Sequence, residues 1–244
     1  MDSRTLILAG SEVMGVIAVM LLAGLSKSIR QRPLLGFKYP RREAVISLTL
    51  FSLLLALSIL FYSGTIPAPQ PFVNVPRELW QQLVAGLAAL LLVLALLYVR
   101  RQPIRSAGWN KAMLSPSLRL GLALAFLAVF LRGAIFLLMD GVSPAELSGL
   151  VVWLLLALAE TTIFQGYIQL RLTSFFGDRF GWLAAAVVFL LWQLPRLLLQ
   201  PETFWVRLGL AAVQAVLLSW LMKRSGHVAG IALYRAVSEW IWLL

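Results

Sequence analysis

Apolar runs of about twenty residues recur from one end of the chain to the other, broken by short polar stretches. Eight of them predict helices, roughly over 5–26, 44–63, 80–99, 117–139, 147–171, 180–199, 204–222 and 227–243. Each is near the ~20 residues that span ~30 Å of hydrocarbon, and the last is the shortest. The pattern therefore predicts an all-α, polytopic transmembrane bundle. No polar stretch is long enough to fold apart from it. One integral membrane domain over 1–244 is expected, with four spans in 1–140 and four more in 147–243.

The loops carry a second pattern. Basic residues crowd the odd-numbered ones: Lys27, Arg30, Arg32, Lys38, Arg41 and Arg42 in the first, and Arg100, Arg101, Arg105 and Lys111 in the third. Arg171 and Arg179 bound the fifth, and Lys223 and Arg224 lie in the seventh. The second loop, rich in proline, has only Arg77 and Glu78, and the fourth, "DGVSPAE", has no basic residue. The asymmetry predicts odd loops in the cytoplasm and both termini outside.

Composition sharpens the class. Of 244 residues, 61% are hydrophobic and 13% charged, and the mean hydropathy of +0.88 belongs in lipid. The net charge of +11 is what topology-setting loops require, so nucleic acid is not an expected partner. The absence of cysteine excludes disulfides and thiolate chemistry. With one histidine, His227, read as an interfacial loop residue, no transition-metal site and no cofactor are expected. A cleavable signal peptide is not expected either, because the first apolar run contains Glu12.

Against this background the stretch "AETTIFQGYIQLRL", residues 159–172, stands out. An ionisable group within a span is costly and marks a functional hypothesis whose partner must be named. Glu160 lies near mid-depth. Thr161, Gln165 and Gln169 follow at α-helical spacing on a face that Glu160 borders. Counted at ~1.5 Å per residue from the odd-loop ends, Glu160 is roughly 16 Å deep and Arg235 about 10 Å deep. Arg235 is the first-choice partner and Arg132 the second. Arg235 also stands one turn from Glu239, which offers a local pair instead.

These residues resemble the signature of the CPBP family, which includes the type II CAAX prenyl proteases, bacteriocin-processing enzymes and Abi proteins. The first motif there is a Glu-Glu pair, three residues, then Arg. The second is Phe, three residues, then His, and the third is His, three residues, then Asn or a similar small polar residue. Here Glu160 and Thr161 stand at the pair and Gln165 at the arginine, with Gly166 and Tyr167 following. Phe189 leads to Gln193 at the first histidine, and Tyr234 and Ser238 stand at the second histidine and the asparagine. The resemblance spans about 147–243 and implies a CAAX-protease-like bundle.

In active members, the resemblance implies, a glutamate activates water for attack on a peptide bond while histidines hold the water and stabilise the oxyanion. Of six polar positions only Glu160 is unchanged, so the leading expectation is not an enzyme. It is a catalytically degenerate scaffold, binding or assembly subunit in a prokaryotic inner membrane, within a larger complex or with a hydrophobic ligand. The first alternative is an active intramembrane endopeptidase using Glu160 as general base. The second is a transporter or channel component using Glu160 as an ion site.

Overall fold

A computed structural model describes residues 10, 13–21, 24, 36–67, 69, 76–131, 143–199 and 201–241. All regular structure among them is helical. Residues 13–21 are helical, followed by α1 (Pro40–Tyr62), α2 (Arg77–Val99), α3 (Lys111–Leu131) and α4 (Pro144–Thr161). A π-helical segment, Thr162–Ile168, continues α4 without a break into α5 (Gln169–Leu197). Then come α6 (Phe204–Ser225) and α7 (Val228–Trp240).

Five stretches are long and apolar enough to cross a membrane: Pro40–Tyr62, Arg77–Val99, Ile104–Phe130, Glu146–Leu197 and Pro201–Ser225. The chain is a multi-pass membrane protein. The sequence pattern predicts eight spans, and three features account for the difference. The first predicted span is described only in part. The fourth stretch has 52 residues and is divided at Gly177, whose φ of 78° suits glycine alone. Beyond it a Cβ at Gly181 would stand 2.2 Å from Thr173 Cα, so the two arms of α5 fold back on each other. Finally, the 13 residues of α7 reach only about 20 Å.

That short helix is central. Ten of its thirteen residues are buried, among them Tyr234, Arg235 and Ser238. It fits because its backbone touches that of α3. A Cβ at Gly121 would fall 2.4 Å from the Gly230 carbonyl oxygen, and one at Gly230 would fall 1.9 Å from that of Ser117. Small residues at a crossing let membrane helices approach closely. Gly230→Ala is therefore expected to lower stability by about 1–3 kcal/mol, since rigid backbone meets the new methyl. Unfolding in mixed micelles measures this; an unchanged transition would remove the glycine contact from the account.

The odd loops gather at one end. The Phe37 amide donates to Ser174 Oγ at 3.4 Å, the Val228 amide to the Gly108 carbonyl at 3.2 Å, and Lys223 pairs with Asp178 at 3.1 Å. Arg100 and Arg171 meet Glu43 there as well. At the other end α4 begins with a capping box, Ser143 with Glu146, and the Trp240 indole donates to the Glu146 carbonyl at 2.8 Å.

Candidate functional site

Glu160 occupies the last turn of α4, just before the π segment, and is 5% exposed. Each carboxylate oxygen has its own donor. Oε1 accepts from the Trp192 indole nitrogen of α5 at 2.9 Å. Oε2 accepts from Arg235 Nη2 of α7, forming a buried ion pair. The Arg235 guanidinium lies over the Phe189 ring, 4.9 Å from its centroid. Phe164, from the π segment, stacks against Phe189 at 5.3 Å and Trp192 at 5.4 Å. α2 closes another side, where a Cβ at Gly86 would be 3.8 Å from Glu160 Cγ. Four helices and the π turn thus converge on one carboxylate. Arg132, the other partner considered, lies outside the described residues.

The remaining motif positions divide. Thr161 is fully buried and turns its hydroxyl back on its own helix, donating to the Ala157 carbonyl at 2.6 Å. Gln169 reaches away to α6, where its Nε2 donates to the Ser219 carbonyl at 2.8 Å. Gln165 is fully buried with neither end of its amide bonded. Gln193 is buried one turn beyond Phe189, and Tyr234 and Ser238 are buried on α7. The expectation of one shared face for Thr161, Gln165 and Gln169 assumed α-helical turns. The π segment replaces them: its i→i+5 bonds add a residue per turn and change the register. Glu239 does not serve Arg235; its Oε1 accepts from Gln214 Nε2 at 2.7 Å.

Sequence reasoning passed over Trp192 and Phe164. The indole N–H is the signal for the first, a single donor within an apolar span that needs an acceptor there.

A second buried polar cluster, also passed over, lies at the odd-loop end. Glu43 accepts from Arg100 Nη1 at 2.9 Å and Nη2 at 2.5 Å, from Gln102 Nε2 at 3.1 Å and from Arg171 Nε at 3.1 Å. Arg171 is fully buried. Its Nη1 donates to the carbonyls of Ser106 at 3.0 Å and Tyr167 at 2.9 Å, and its Nη2 to Gln102 Oε1 at 2.5 Å. The guanidinium also stacks on the Tyr167 ring at 3.4 Å. Arg171 thus ties α1, the 104–107 turn and the end of the π segment together. The Glu43 hydrogen bond holds the Arg100 guanidinium above its ordinary range.

His227 lies in the short connection before α7, as expected of a loop residue, but it is buried rather than exposed there. It is 1% exposed, packs edge-on to Trp109 and caps α7, its Nδ1 accepting from the Ala229 amide at 3.0 Å. The neighbouring Gly230 amide is capped from α3 by Ser117 Oγ at 3.1 Å. Burial pushes the His227 imidazole below its ordinary value of 6.5. Protonation would turn the capping nitrogen into a donor and set a cation at a helix N-terminus. The stability this residue adds is whole above about pH 6.5 and declines as pH falls toward the lowered folded value. Thermal unfolding scanned from neutral to mildly acidic pH should show that loss. His227→Asn, which caps without titrating, should flatten it; an unaltered pH profile would contradict the assignment.

Residues 121–241, about half of the chain, match the family model described as type II CAAX prenyl endopeptidase Rce1-like. The chain belongs to this family, a branch of the CPBP proteins. No curated protein and no solved structure matches it significantly. The Rce1-like region begins within α3 and ends after α7, so it contains Glu160, its donors Trp192 and Arg235, and every motif position discussed above. It omits α1, α2 and the Glu43 side of the second cluster.

Proposed function

We propose that the chain is a catalytically degenerate Rce1-like protein, acting in the membrane as a scaffold, binding or assembly subunit rather than as a peptidase. The observation that carries this reading is the commitment of Glu160 to Trp192 and Arg235. A general base must hold a water and be free to take its proton. Drawing this carboxylate toward a water would leave the Arg235 charge buried without its counter-ion, an arrangement proteins avoid. The other positions fit the same reading. Thr161 has spent its hydroxyl on its own helix. Gln165, Gln193 and Tyr234 carry groups able to donate hydrogen bonds, but none can shuttle protons near neutrality as histidine does.

The proposal extends to setting. The chain forms one integral membrane domain in a prokaryotic inner membrane, with odd loops cytoplasmic and both termini outside. The basic content of the odd loops supports that orientation. Extraction from native membranes in mild detergent should yield an assembly heavier than one chain, unaffected by Glu160→Gln. A bare single chain would overturn the assembly role.

A second reading, an active endopeptidase with Glu160 as base, has one observation in its favour. Arg235 keeps Nε and Nη1 buried and unbonded beside Glu160, and donors so placed suit an oxyanion. Such an enzyme would show turnover that vanishes in Glu160→Gln.

A further inference from the structure

We propose that a basic groove at the start of α1 binds the headgroup of an anionic phospholipid. The groove is open to the surface, offers about 810 Å³ and is lined, among the described residues, by Lys38, Tyr39, Arg41, Arg42, Val45 and Ile46. It stands where α1 begins to span the membrane, so its cations meet the level of lipid phosphates. Lys38, Arg41 and Arg42 are all exposed. Among the described residues none of the three pairs with a carboxylate. The nearest acid in sequence, Glu43, faces inward and is committed to Arg100 and Arg171. Three positive charges therefore line the groove with no counter-ion among the described residues.

The apolar side of the groove distinguishes a lipid from a free anion. Val45, in the groove, is 57% exposed, and Leu48, about one turn beyond it, is 37% exposed; both follow Arg41 along one face of α1 at helical spacing. A phosphate held by Arg41, Arg42 and Lys38 thus has its acyl chains led down Val45 and Leu48 into the hydrocarbon. Clustered Lys and Arg beside a membrane helix attract anionic lipid. A zwitterionic headgroup brings its own ammonium and gains little from them.

The test uses the full chain in phosphatidylcholine nanodiscs with phosphatidylglycerol as the probe. Retained lipid is read by native mass spectrometry and stabilisation by tryptophan-monitored unfolding. Phosphatidylglycerol should be retained and should raise the unfolding temperature, and phosphatidylcholine alone should do neither. Replacing Lys38, Arg41 and Arg42 together by Gln should weaken retention by roughly ten- to a hundredfold. Arg41→Lys with Arg42→Lys should keep most of it, and Arg101→Gln with Arg105→Gln should leave it unchanged. Equal retention of both lipids would overturn the proposal, as would equal loss from the Arg101 and Arg105 changes. Displacement by inorganic phosphate at matched concentration would assign the groove to a free anion instead.

Discussion

Glu160→Leu is expected to cost about 3–5 kcal/mol of stability, and Arg235→Leu a similar amount, because each leaves the other's charge buried alone. The pair is nearly inaccessible, with side-chain exposures of 2% for Arg235 and 6% for Glu160, so solvent screening relieves little. The double change to leucine should recover most of the loss, since replacing a whole buried pair by apolar groups is close to neutral. Reversible unfolding of the four proteins in mixed micelles gives the coupling energy directly. A double variant no better than the worse single would mean that Glu160 and Arg235 do not rely on each other. Trp192→Phe should be milder, at about 0.6 kcal/mol, the worth of one hydrogen bond inside a membrane bundle.

Glu43→Leu has the second large effect. It removes the acceptor shared by Arg100, Gln102 and Arg171, and leaves the fully buried Arg171 facing Arg100 without an anion between them. A loss of about 3–5 kcal/mol is expected. Arg100→Gln should cost less, because its side chain is 18% exposed and Arg171 still answers Glu43. Because Arg171 also bonds the Tyr167 carbonyl, hydrogen exchange at the amides of 162–168 should rise with Glu43→Leu. Unchanged protection there would separate the cluster from the π segment.

The spans were legible because lipid leaves few alternatives to a long apolar helix. Glu160 and Arg235 were conspicuous for a related reason: a charge at mid-depth needs a partner at a comparable depth. Other features had no such signal. The π segment lies where Gly166 presses against the Ala107 carbonyl of a distant turn, a contact that no local pattern announces. Nothing in "TIFQGYI" forbids an ordinary α-helix. Arg171 reads as a loop-boundary cation because its acid, Glu43, stands 128 residues earlier. His227 reads as interfacial beside Lys223 and Arg224, and only the closure of α7 on α3 buries it. The crossing itself depends on Gly121 and Gly230, two glycines on separate helices that nothing local relates.

The central claim is that Glu160 serves structure and no longer activates water. Purified protein in proteoliposomes, given a membrane-tethered peptide, tests it most directly when cleavage is followed by mass spectrometry across a range of pH. The account predicts that the wild type releases no more product than Glu160→Gln at any pH. Cleavage by the wild type that is abolished in Glu160→Gln would contradict it.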